Sequence, residues 1–193
     1  MITTENKMIW TIEDAELLIG NDKFYEIING ELYIERDSFM TRAPRWEHQK
    51  AIGRINRVLE NWSLKTNLGE TIISPGLVFG DTDNVIPDLV WISKDKLVNS
   101  IDESGHLTHA PELIVEVLSY GENDVKRDKE AKLKLYSVKG VKEYWIVDWK
   151  AQEVTIYHRN NAQLELVYTL FSEDTITSEF LPQFSLNVKD IFI

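Results

Sequence analysis

Three ionisable residues stand where neighbouring positions are apolar: Asp88, Glu116 and Lys132. Glu116 lies in the run PELIVEVLS, Pro111–Ser119, which is apolar on both faces of an extended chain. Leu113, Val115 and Val117 would share one face, while Glu116 shares the other with Ile114 and Leu118. Such a run fits the buried middle of a sheet. A carboxylate there is costly unless a cation, a metal or hydrogen bonds meet it. Asp88 repeats the problem in VIPDLVWIS, Val85–Ser93, where it falls in the row of Val90 and Ile92. An aspartate there can also end a turn by bonding to backbone. Lys132 and Asp128 fall inside the apolar face of the helix that follows Glu116. They form either an i,i+4 pair with the lysine snorkelling to water, or a lysine aimed at an anion on the sheet. Glu116 or a bound phosphate would be that anion.

The elements that must position these residues form one unit, strand, helix, glycine stop, strand, over Pro111–Asp148. Asn123 or Asp124 can cap the helix, and Gly140 can end it in the left-handed conformation. Steps of about 100° from Val125 place Val125, Ala131, Leu135, Tyr136 and Val138 inward. Lys126, Arg127, Glu130, Lys134 and Ser137 fall opposite. With the strand over 143–149, the unit has the form of a right-handed crossover between parallel strands. It should occupy the centre of a mixed sheet, with hairpins at the edges.

Upstream, Thr11 opens a helix through Leu18, with Asp14 placed for a capping box. Lys23–Asn29 and Glu31–Glu35 read as a hairpin about Asn29-Gly30. After a loop with Pro44, a helix over Glu47–Lys65 carries the stripe Ala51, Ile52, Ile55, Val58, Leu59 and Trp62. His48 lies on the same side, as a packed or capping residue or as a ligand. Short strands at Thr71–Ser74 and Gly76–Phe79 precede a turn at Asp81–Asn84, and Lys94–His109 reads as a polar excursion with a helical turn near Lys96. Glu153–His158 and Leu164–Leu170 flank Asn160-Asn161 in a C-terminal β-meander. Gln183–Ile193 closes the chain with a short helix from Val188.

At 193 residues one domain, 1–193, is expected. No cysteine is present, which excludes disulfides, thiolate metal sites and a thiol nucleophile. The N-terminus lacks a basic-then-apolar leader and no apolar run approaches membrane-spanning length, so a soluble, cytoplasmic protein is expected, with no membrane partner. The net charge of −11 argues against a general nucleic-acid coat. Yet Arg36–Lys65 and Lys126–Lys142 hold seven basic residues each out of 21. Such stretches suit either a phosphate backbone or ordinary solvated helix faces.

At Pro87-Asp88, Glu112–Ser119, Arg127-Asp128, Lys132, Tyr136 and Gly140–Asp148 the chain resembles the PD-(D/E)XK nuclease superfamily, and more closely its restriction-endonuclease-like Uma-two group. The likeness extends over about Thr11 to Phe171. It implies an α/β (α+β) fold, a restriction-endonuclease-like mixed sheet flanked by helices. It also implies a DNA endonuclease in which Asp88, Glu116 and the carbonyl of Val117 hold Mg²⁺, or Mn²⁺ in its place. Lys132 would assist the attacking water, and Glu47, His48, Asp128 and Tyr136 would line the site. The superfamily's compact motif has its lysine two residues after the second acid, where this chain has Leu118, so that role passes to Lys132. Glu112 stands where the group usually has aspartate. A homodimer would let one site per chain cut both strands of a duplex. The alternatives are a nuclease-fold protein that binds or regulates without cutting, and a carboxylate-pair glycosidase.

Overall fold

A computed structural model describes residues 8–19, 24–34, 45–119 and 124–192. Lys23, Glu35, Arg36, Arg42, Pro44, Asn123 and Ile193, which figure in the sequence reading, lie outside the described residues. Statements about the whole fold refer to the described residues.

The centre is the expected crossover. Strand β7 (Leu113–Val117) pairs in parallel with β8 (Glu143–Asp148), with Glu116 opposite Ile146. Around this pair run β6 (Leu89–Ser93) and β3 (Gly69–Ile73) on one side, β9 (Glu153–Asn160) and β10 (Gln163–Leu170) on the other. All their pairings are antiparallel, giving the order β10-β9-β8-β7-β6-β3. Both faces of β7 are apolar because both are covered.

One face packs on helix α2 (Trp46–Thr66), the terminal helix α6 (Lys189–Phe192) and the hairpin β11 (Thr175–Ser178) and β12 (Leu181–Asn187). Ile52, Ile55 and Leu59 of the α2 stripe meet Leu113, Val115 and Val117 within this cluster, each full burial contributing about 1.5–3 kcal/mol. The other face carries Val90, Ile92, Ile114, Leu118, Tyr144 and Ile146. It is covered by the crossover helix and by a second sheet, order β2-β1-β5-β4. That sheet is built from β1 (Tyr25–Ile28), β2 (Glu31–Ile34), β4 (Leu77–Gly80) and β5 (Asp83–Val85).

Local chemistry behaves as expected at several ends. Thr11 and Asp14 exchange the two capping-box hydrogen bonds, each 3.1 Å, at the start of α1 (Ile12–Ile19). Asn29 and Gly30 hold the positive φ of a hairpin turn. The helical turn near Lys96 is α3 (Lys94–Leu97).

Three expectations change. Val85–Ser93 is not one strand: Val85 ends β5 in the second sheet, and β6 begins at Leu89. Pro87 has no N–H for a ladder, and the Ile86 N–H is donated to the Glu26 carboxylate at 2.8 Å, so the chain turns a corner between the sheets. Asp83 accordingly opens a strand rather than lying in a turn. The N-terminal hairpin is not an edge of the main sheet; β1 pairs with β5.

The crossover helix is not uniformly α. After α4 (Asp124–Lys126) comes a π-helical stretch, Arg127–Lys132, then α5 (Leu133–Lys139), ended by Gly140 at φ 96°. In a π turn residues five apart stand over one another. Arg127 is thereby brought above Lys132 and turned inward instead of facing solvent. The buried face is centred on Lys132 and Tyr136, which turns Val138, at the margin of the apolar face, out to 69% exposure.

Candidate active site

The site begins at Glu116, on the β7 face that looks toward the crossover helix. Its Oε1 accepts a hydrogen bond from Lys132 Nζ at 2.9 Å and another from the Tyr136 hydroxyl at 3.0 Å. Lys132 is 1% exposed, so its ammonium lives on these contacts rather than on water. It also lies 2.9 Å from Glu26 Oε1 and 3.7 Å from Asp128 Oδ1. Lys132 is therefore not a snorkelling side chain; it points to the sheet, and the anions it meets are carboxylates.

Arg127 closes the far side. Its Nε is 3.1 Å from Asp128 Oδ1 and 3.2 Å from Glu26 Oε2. The Tyr144 hydroxyl donates to the Asp128 carbonyl at 3.0 Å, pinning the π turn to β8. Glu26 and Arg127 were not anticipated. Glu26 had a usable signal: it shares a strand face with Ile28, as Glu116 does with Ile114. Arg127 stands among the residues that carry the family resemblance, but its helical phase points to solvent, because its inward turn depends on the π stretch.

Asp88 sits at the corner before β6, beside the end of β7. Its Oδ2 accepts the Val117 N–H at 2.7 Å, so the carboxylate lies against the backbone one residue from Glu116. It is bonded to the neighbouring strand, not to a turn of its own. His48, from the first turn of α2, brings Nε2 within 3.4 Å of the same oxygen. Glu47 is half-buried beside it, 3.5 Å from Arg45. Among the described residues His48 Nδ1 and Glu47 Oε2 are buried without a hydrogen-bond partner. Glu112 is elsewhere: it accepts from the Ser93 N–H and hydroxyl at the opposite end of β7.

The electrostatics follow from packing four carboxylates around few cations. Burial pushes the Glu116 carboxyl up to about 8; Lys132 opposes this, and the Asp88, Asp128 and Glu26 carboxylates add to it. Asp128 is raised too, chiefly by burial, against the pull of Lys132 and Arg127. Burial alone would lower the pKa of Lys132, but Glu116, Glu26 and Asp128 outweigh it and hold the ammonium well above its ordinary value. Burial would likewise depress His48, yet the bond to Asp88 and the Val117 carbonyl keep it above the usual imidazole range.

This donor set fits a hard divalent cation. Asp88, Glu116 and the Val117 carbonyl are oxygen donors, and burial among the other carboxylates favours a proton on Glu116. A cation would replace that proton. Among the described residues no three His, Asp or Glu side chains form a complete cage. Mg²⁺ does not need one, because it keeps several waters and takes one or two carboxylates.

The sheet, its crossover and its flanking helices define a restriction-endonuclease-like fold of mixed α and β structure. A family model described as "Uma2: Putative restriction endonuclease" matches residues 12–189, and the chain belongs to that family. Among solved structures, the chain is similar to a nuclease of the DUF820 group from Anabaena variabilis, described in the same provisional terms. The TM-score is 0.70 at 17% identity, covering 94% of this chain and 97% of that one, which shows a shared fold. A weaker likeness, TM-score 0.38 and 15% identity, is to the type IIG restriction endonuclease BpuSI, over 65% of this chain and 13% of that one. A search of curated proteins finds no match. No helix among the described residues is long and apolar enough to cross a membrane.

Proposed function

We propose that the chain is a metal-dependent endonuclease that hydrolyses DNA phosphodiester bonds. The observation that carries this reading is Lys132: a fully buried ammonium 2.9 Å from Glu116, at the strand end where Asp88 lies on the Val117 N–H. Asp88, Glu116 and the Val117 carbonyl would hold Mg²⁺, with Mn²⁺ able to substitute. When bound, the cation polarises a phosphate oxygen and lowers the pKa of a bound water. Lys132 neutralises charge developing on the phosphate, a contribution of about 3 kcal/mol for one well-placed group. Tyr136 fixes the rotamer of Glu116. Glu26, Asp128 and Arg127 hold Lys132 in place, and His48 and Glu47 line the open side next to Asp88.

The test is incubation of purified protein with supercoiled plasmid and with single-stranded DNA, in Mg²⁺, Mn²⁺ or chelator. Metal-dependent cleavage that falls at least a hundredfold in Asp88→Ala is the expected result, scaled to the loss of one main stabilising group. Equal cleavage by the wild type and the variant would assign the activity to a contaminant and end the claim.

The burial of Lys132 favours a second reading, a nuclease-fold module that binds nucleic acid without cutting. Its ammonium already has three carboxylates for company. That reading expects salt-sensitive DNA binding with no metal requirement. Calorimetric titration of Mn²⁺ into wild type and Asp88→Ala separates the two, since heat lost in the variant counts against it.

A further inference from the structure

Next to the open side of the site lies a pocket of about 370 Å³ that the chemistry above does not use. Its wall is Trp46 at the start of α2, the turn between β8 and β9 carrying Trp149, Lys150 and Gln152, and Phe192 of α6. Two links tie it to the site. Glu47, which also lines it, precedes His48, and the Trp149 indole N–H donates to the Leu118 carbonyl at 2.9 Å, two residues beyond Glu116. Trp46 is 70% exposed, an unusual position for so large an aromatic ring. Cations gather around the pocket: Arg45 stands 5.2 Å and Lys150 5.6 Å from the Trp149 ring centre, and Lys50 lines the wall. In a chain of net charge −11, three cations beside the Trp149 ring and the exposed Trp46, against the one lining carboxylate of Glu47, are a local excess of positive charge.

An apolar partner would not call for the cations, and a bare phosphate would not call for the indoles. A nucleotide uses both, through a base that stacks on an aromatic face and phosphates that meet Lys and Arg. We propose that this pocket is a base-stacking subsite. It receives an unpaired nucleobase on Trp46 next to the scissile phosphate, while Arg45, Lys50 and Lys150 meet the flanking phosphates. The inference rests on the nuclease reading and narrows its substrate to strands with unstacked bases, single-stranded or locally opened. A fully paired duplex keeps its bases out of the pocket. One chain then suffices for one cut, and a two-fold dimer is not required.

The test measures binding separately from cleavage. A short fluorescein-labelled oligothymidylate and a duplex of mixed sequence are titrated in chelator into wild type, Trp46→Ala, Trp46→Phe and Asp88→Ala. The expected result is single-strand binding tighter than duplex binding, weakened about tenfold in Trp46→Ala. Trp46→Phe should retain most of the affinity, and Asp88→Ala should bind at least as well as wild type. Because Trp46 is exposed, the two Trp46 variants should melt like wild type. Wild-type affinity in Trp46→Ala, or equal affinity for the duplex, would overturn the subsite. So would a change of sedimentation in Trp46→Ala without a change in oligonucleotide affinity, which would make the patch a contact between copies of the chain. Loss of binding in Trp46→Ala with no cleavage by any variant would leave the subsite standing and remove the nuclease reading.

Discussion

Glu116 is the residue on which the site turns, and its proton is the quantity to follow. In the unfolded chain its carboxyl has the ordinary value of 4.5, and in the folded protein burial raises it to about 8. The folded state thus binds this proton more tightly than the unfolded state does. The stability it contributes is full below the unfolded value and is lost as pH rises through the folded one. In chelator, the melting temperature of the wild type should fall between about pH 5 and 8 relative to Glu116→Gln. The amide can still accept from Lys132 and Tyr136 but has no proton to release. Parallel melting curves for the two proteins across that range would mean that Glu116 is not held among the carboxylates.

At the scale of the element, the crossover helix shows where pattern reading succeeds and where it stops. Steps of about 100° place Leu135 and Tyr136 toward the sheet and put Lys132 inside the apolar face, free either to snorkel or to meet an anion. All three are buried. Glu116 was legible because β7 has no polar face, so a carboxylate in it needed a partner. Arg127 was assigned to solvent because a uniform α-helix puts it there. A π stretch is a choice made by tertiary contacts, here the Tyr144 hydroxyl and the Glu26 carboxylate, and leaves no mark in spacing. Glu26 was missed for a related reason: its hairpin belongs to a second sheet, and sheet membership is a long-range property. Likewise Pro87 marked a strand start, but not that Val85 and Leu89 lie in different sheets. A deletion tests the element directly. Removing Lys129, an exposed residue within the π stretch, should restore α geometry and turn Arg127 and Asp128 away while leaving Lys132 and Tyr136 in register. We expect a loss of about 2–3 kcal/mol by urea denaturation, the scale of a charged hydrogen bond left unmade. A loss within error would show that the π stretch is not what holds Arg127.

Across the whole molecule, charge decides how a polyanion can approach. Most of the surface repels it, so productive contact should be confined to a few cations. If Arg45, Lys50 and Lys150 are the phosphate contacts, the logarithm of the single-strand binding constant should fall with the logarithm of salt at a slope of about −2. A slope steeper than about −5 would point to a broad basic surface instead. Within the second basic stretch, part of the charge is not available to a polyanion. Arg127 and Lys132 are consumed inside the site, and Lys139 pairs with Asp83 at 2.7 Å.

The lysine at the centre is held between Glu116 in β7 of one sheet and Glu26 of the other, residues 90 positions apart in the chain. Such an arrangement has a consequence in time. Glu26, Asp88 and Glu116 leave the ribosome before Lys132 does. At about 5–20 residues per second their wait for the cation runs from about a second for Glu116 to about 5–20 seconds for Glu26. Until the crossover helix docks, those carboxylates remain solvated and the two sheets have no charged clasp between them. Contacts of such long sequence separation form slowly, because loop closure precedes their reward. Whatever chemistry the site supports therefore waits until the crossover helix has docked on the sheet.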